Sequence, residues 1–183
     1  MRKLVIPCTV RYMVISMLLT GLVFCFTATA ETARNASQSD AGGSTPKIGS
    51  AAPTLELTDL SGKITNLRTY VGDKPVILAF TASWSKSCQD ELKDLQELYI
   101  KNRSKAEVLS VSFDKKQKDL KNFVEKSGIT FPVLLDKKLS CLDKFQILII
   151  PTTFCINRQG IIEKIFVDYD ENIKKALNAW LKS

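Results

Sequence analysis

The 183-residue chain contains no histidine. That absence removes every Ser-His-Asp or Cys-His nucleophile, every imidazole general base and every His-ligated metal site. No internal repeat and no massed block of one charge are present either. The formal net charge is +7, but without Arg2, Lys3 and Arg11 the balance is 23 basic against 19 acidic residues, or +4. These charges are scattered, which describes a solvated surface and implies no nucleic-acid partner. No metal or cofactor is called for. What remains is 45% apolar with a mean hydropathy near zero, enough to bury one compact core with extra segments at its start.

The extra segments are legible. Arg2, Lys3 and Arg11 precede an apolar run from Tyr12 to Phe26, followed by Thr27-Ala28-Thr29-Ala30-Glu31. A basic start, an apolar stretch and small residues at the cleavage positions read as a signal peptide over 1–30. The alternative is an uncleaved anchor, since Tyr12 to Ala30 reaches the length of a short membrane span. The membrane is a partner only in that case. Phe24 ahead of Cys25 argues against a lipoprotein. Either way the positive flank stays inside and the domain is expected outside the cytoplasm, in the periplasm or cell envelope. Residues 31–47 are small, polar and Gly/Ser-rich, a flexible linker. The folded domain is expected over 48–183. Of five cysteines, Cys8 and Cys25 fall in the leader. Cys88, Cys141 and Cys155 remain, and an odd count leaves at least one thiol outside any disulfide.

Within the domain, strands are expected at Thr54–Leu57 and Ile64–Leu67 around the turn Asp59-Leu60-Ser61-Gly62-Lys63. A doubly buried strand follows at Pro75–Phe80. Cys88, Leu92, Leu95 and Tyr99 recur at helical spacing across Ser85–Lys101. Further strands are expected at Val108–Phe113 and Phe131–Leu135, and helices at Gln117–Lys126 and Ser140–Phe145. Thr152–Ile156 and Ile161–Val167 read as a hairpin around Asn157-Arg158-Gln159-Gly160. Asp170 caps a last helix with Ile173, Leu177 and Trp180 on one face. The alternation predicts an α/β fold: a central mixed sheet, mostly parallel with an antiparallel edge, flanked by helices.

At the end of the doubly buried strand stands Thr81-Ala82-Ser83-Trp84-Ser85-Lys86-Ser87-Cys88. Trp-Cys-x-x-Cys at a helix start is the thioredoxin-type redox signature; here Ser85 stands at the first Cys. Ile48-Gly49-Ser50-Ala51-Ala52-Pro53, Phe131-Pro132-Val133-Leu134-Leu135-Asp136 and Ile150-Pro151-Thr152-Thr153-Phe154 complete a set that spans the domain. Residues 48–182 thus resemble the TlpA/ResA-like branch of the AhpC/TSA (redoxin) superfamily. The resemblance implies a thioredoxin-like fold with an N-terminal β-hairpin extension. It also implies an exported or membrane-tethered thiol–disulfide oxidoreductase acting on envelope protein thiols; if Cys88 is oxidised, Cys141 or an external thiol reductant would resolve it.

The resemblance assigns roles that the residues qualify. Cys88 is the remaining redox atom. A helix start favours its thiolate, Lys86 adds a cation, and its place on the Leu92–Leu95 stripe opposes both through burial. Ser85 has no base to make it a nucleophile. As Ser-x-x-Cys it resembles the peroxiredoxin motif, although Thr81 replaces the proline expected there. Glu91 matches a family carboxylate that relays protons; read alone it is equally a solvated helix residue. Trp84, Ile150, Pro151 and Thr152 match a substrate-holding surface with a cis-proline loop. Cys141, after a strand parallel to the motif strand, is a candidate resolving thiol if its Cα comes within disulfide reach of Cys88. Cys155 reads as a small core residue. Three readings follow. The first is single-cysteine redox chemistry at Cys88. The second is a non-catalytic module holding extended envelope polypeptides at the proline loop. The third is a one-Cys peroxidase.

Overall fold

A computed structural model describes residues 45–182. The expected signal peptide and most of the linker lie outside the described residues. The hairpin extension is present as β1 (Glu56–Thr58) and β2 (Ile64–Asn66), an antiparallel pair with Leu57 opposite Thr65. Its turn is held by Asp59, whose Oδ1 accepts from the backbone N–H groups of Ser61 and Lys63 and from the Ser61 hydroxyl. A single 3-10 turn, Leu67–Thr69, leads away from it.

The central sheet has five strands: β3 (Val76–Thr81), β4 (Glu107–Ser112), β5 (Val133–Leu135), β6 (Thr152–Ile156) and β7 (Ile162–Val167). Their spatial order is β5-β4-β3-β6-β7. β3, β4 and β5 are mutually parallel, while β6 runs antiparallel to β3, and β7 to β6. Parallel and antiparallel pairings are therefore equal in number, rather than mostly parallel as the sequence suggests. The Ile150–Pro151 peptide bond is cis.

β3 is buried along its whole length because helices cover both faces. Its alternate side chains feed two cores, as the period of two dictates. Leu78 and Phe80 join Leu109, Val111, Leu134, Phe145, Phe154 and Cys141 on one face. Phe80, Phe145 and Phe154 meet there with ring centroids 4.8–5.8 Å apart. Ile77 and Ala79 join Leu92, Leu95, Leu120, Leu177 and Cys155 on the other. The second face is covered by α1 (Lys86–Asn102), α2 (Gln117–Ser127) and α4 (Glu171–Trp180); the first is covered by α3 (Ser140–Phe145).

Local chemistry sets the helix ends. Ser85 caps α1 and Asp170 caps α4, its Oδ1 accepting from the Ile173 N–H at 2.8 Å. Gly128 ends α2 with φ +65°, a left-handed turn that costs a residue without Cβ little. Leu92 and Leu95 are each about 1% exposed; burying each contributes roughly 2 kcal/mol, more than the propensity of any single α1 residue.

Candidate functional site

Parallel strands end on one edge of the sheet. β3, β4 and β5 all deliver their C-terminal loops there, and antiparallel β6 begins there. Phe80 pairs with Thr152 and Thr152 with Val167, so the Ala82–Ser85 loop, the Ile149–Pro151 loop and the exit from β7 are neighbours. Asp114, just past β4, fastens the first loop. Its Oδ2 accepts from the Ser83 N–H at 2.8 Å and its Oδ1 from the Ser83 hydroxyl at 2.7 Å; the Ser112 hydroxyl also donates to it. The Gln89 amide donates to the Ser83 carbonyl at 2.7 Å. Ser83 is thus gripped from two sides, and the next residue, Trp84, stands 70% exposed.

Asp168 fastens the opposite side. Its Oδ1 accepts from the Ser87 hydroxyl at 3.0 Å, and its N–H donates to the Pro151 carbonyl at 2.8 Å. It adopts φ +70°, a conformation rare for a residue with a Cβ. One residue thereby joins the start of α1, the proline loop and the end of β7.

Cys88 lies in the first turn of α1 and is wholly buried. Burial pushes its thiol up; hydrogen bonds with the Ser85 side chain and the Ala82 backbone oppose this in part. Ser85 Oγ also caps the helix, accepting from the Cys88 N–H at 3.5 Å. Lys86 does not serve as the expected cation, because its side chain is 76% exposed and its ammonium pairs with Asp90 one turn on. At this helix start desolvation outweighs the favourable dipole.

Glu91 is fully buried, not a solvated helix residue. Thr153 donates to its Oε1 at 2.6 Å, and its Oε2 has no partner. Burial is the main cause that raises its carboxyl to about 8; the Thr153 bond opposes this and Asp168 adds to it. At neutral pH Glu91 is a neutral acid that carries a proton on the α1 face of the sheet. Its sequence signal was its place on the stripe: 88, 91, 92, 95 and 99 share one helical face.

The structure does not bring Cys141 to α1. Its main-chain N–H donates to Asp136 Oδ2 at 2.7 Å, and its side chain packs with Phe145 in the cluster on the other face of the sheet. β5 does end on the shared edge, but α3 then carries Cys141 beneath it. Burial and the Asp136 carboxylate push its thiol up to about 12. Cys155 is buried under α1, its thiol also raised mainly by burial. Among the described residues, Cys88, Cys141 and Cys155 are free thiols. Of the residues expected to hold a substrate, Ile150 is half-buried while Pro151 and Thr152 are buried. The Thr152 hydroxyl donates back to the Ile149 carbonyl at 2.7 Å. The exposed part of that loop is Leu148 (94%) and Ile149 (54%), which the sequence reading did not single out. Asp114, Asp168 and Thr153 were likewise missed; only Thr153, inward-facing in a buried strand, carried a signal. Among the described residues no group of three or more acidic or thiol side chains gathers to hold a metal.

Comparison with known families places this arrangement. The AhpC/TSA family profile matches residues 48–165. The chain belongs to the AhpC/TSA family. Within it, the chain is 34% identical over 135 residues to the thiol-disulfide oxidoreductase ResA of Geobacillus thermodenitrificans, covering 72% of this chain and 77% of that one. It is 35% identical over 138 residues to ResA of Bacillus anthracis, covering 74% and 78%. Among solved structures it resembles a protein of Chlorobium tepidum assigned as thiol:disulfide interchange protein DsbE. That match has 25% identity and a TM-score of 0.71, covering 75% of this chain and 97% of that one. StoA of Bacillus subtilis matches at 26% identity and a TM-score of 0.57, covering 69% and 98%. This AhpC/TSA member is thus a thioredoxin-like protein of the thiol–disulfide oxidoreductase group, as the motif set implied.

Proposed function

We propose that this protein, exported to the cell envelope, holds extended partner polypeptides at the Trp84–Ile149 edge without exchanging a disulfide there. One observation carries the reading: Cys88 is wholly buried, while Trp84, Leu148 and Ile149 on the same sheet edge are open to solvent. A buried thiol with a raised pKa supplies little thiolate, and the thiolate is the nucleophile in disulfide exchange. Ser85, where the family resemblance expects the attacking thiol, caps a helix and has no base. Trp84, Leu148 and Ile149 form a contact surface that needs no sulfur.

Single-cysteine chemistry at Cys88 is the second reading. Its support is the Ser85 hydrogen bond to Cys88 and the neutral acid Glu91 one turn along the same face. Peroxide reduction would draw on the same thiolate, and burial opposes it equally.

The two separate in one experiment. An unfolded, reduced polypeptide is titrated onto the wild type, Cys88→Ala and Trp84→Ala. Holding predicts equal affinity for the wild type and Cys88→Ala, and at least tenfold weaker binding by Trp84→Ala. A mixed disulfide or sulfenic acid trapped at Cys88, with binding lost in Cys88→Ala, overturns it in favour of the second reading.

A further inference from the structure

The strand order lays three kinds of surface side by side along the edge that carries Trp84. Past β4 come Lys115, Lys116 and Lys118, all exposed, with Asp119 as an exposed acid among them. None of the three lysines joins an ion pair among the described residues. Past β5, Lys137 and Lys138 are exposed too. They share a groove of about 550 Å³ with Glu56, Asp59 and Asp136, so their charge is partly countered.

In the middle, from the β3 and β6 loops, stand Trp84, Leu148 and Ile149. On the far side, past β7, Asp168, Asp170 and Glu171 are exposed. Lys174, one turn into α4, is engaged by Asp94 at 2.9 Å and reaches Glu171 at 4.0 Å, so the charge of Glu171 is partly countered while Asp168 and Asp170 join no ion pair among the described residues.

Two hydrogen-bonded links fix this order on either side of the tryptophan. Ser83, immediately before Trp84, is bonded to Asp114, which leads directly into Lys115 and Lys116. Ser87, three residues after it, is bonded to Asp168, which leads into Asp170 and Glu171. The charge separation is therefore built into the loops that position the apolar centre.

We propose that this edge takes a charge-polarised peptide segment of a partner protein, lying across the strands in one direction. Its acidic end lies over Lys115, Lys116 and Lys118. An aromatic or aliphatic side chain rests on Trp84 and Ile149, and its basic end meets Asp168, Asp170 and Glu171. The inference rests on the holding reading above and adds the chemistry of the partner. Apolar contact supplies affinity in such an interface, while complementary charge fixes direction and excludes partners of the wrong sign.

The test uses the whole protein and five dye-labelled ten-residue peptides sharing a central Leu-Phe pair. One carries glutamates before the pair and lysines after it, and one has that order reversed. The others are all-acidic, all-basic and uncharged. Fluorescence anisotropy at low and moderate salt reads affinity. The expected result is that one polarised order binds at least tenfold more tightly than its reverse and than the uncharged peptide. Lys115→Glu with Lys116→Glu, both on exposed sites, should abolish that preference, and added salt should shrink it.

Equal affinity for the two orders, sensitive to Trp84→Ala, overturns the polarised edge and leaves the holding reading intact. Binding to none of the five overturns both. Capture of the protein by vesicles of anionic lipid, lost in the Lys115→Glu/Lys116→Glu variant while the peptides bind without preference, assigns the lysines to a membrane and also overturns it.

Discussion

Glu91→Gln isolates the buried acid. Glutamine matches the shape of glutamate and can still accept from Thr153, but it cannot ionise. In the folded protein the carboxyl sits near 8 instead of its ordinary 4.5. Each pH unit of such a difference corresponds to about 1.4 kcal/mol. Because the folded value lies above the unfolded one, this group's contribution to stability is complete below about 4.5 and is lost as pH rises through 8. Linkage between these two values gives a loss of about 4 kcal/mol between pH 5 and pH 9 as a ceiling, and about 2 kcal/mol where water or local opening relieves the charge. The assay is urea unfolding of the wild type and Glu91→Gln at pH 5, 7 and 9. The variant should match the wild type at pH 5 to within about 1 kcal/mol, exceed it increasingly as pH rises from 5 to about 8, and gain little more by pH 9. Parallel stability curves across that range would refute the reasoning, because they would mean Glu91 titrates alike in both states.

Two other substitutions probe the neighbouring loops. Ser85→Cys places a thiol at the half-exposed cap of α1, where the helix N-terminus favours its thiolate; insulin reduction with dithiothreitol should rise at least tenfold over the parent, and no gain would mean the edge no longer supports exchange. Asp114→Ala removes a carboxylate that accepts from Ser83 and Ser112 and leaves the Ser112 hydroxyl buried and the Ser83 donors half-buried without it. It should cost about 2–4 kcal/mol in urea unfolding and shift the Trp84 emission; a loss under about 1 kcal/mol would mean the loop is held by something else.

Much of the fold was legible because it rests on local patterns. The continuous apolar run at Val76–Phe80 read as a strand covered on both faces, and the Cys88–Leu92–Leu95–Tyr99 spacing as a helix with one apolar stripe. Asp170 and the hairpin around Gly160 were readable from side-chain chemistry alone. The same spacing set Cys88 on the apolar stripe, where burial competes with the helix start, and put the motif at the end of β3. Position in three dimensions was not legible where it depended on which face of the sheet an element covers. Cys141 follows a strand that ends on the right edge, yet α3 packs under the face opposite α1, because Phe145 completes the aromatic cluster with Phe80 and Phe154. Asp114 and Asp168 lie 31 and 81 residues along the chain from the serines they hold, so no local pattern announces them. The sequence by itself determined the elements, the redox-type motif and the serine within it. Only the tertiary structure decided that Glu91 is a buried neutral acid, that Cys88 is sealed, and that Leu148 and Ile149 join Trp84 on an open edge. Burial and desolvation depend on atoms brought together from distant parts of the chain, and they set the chemistry each of these residues can do.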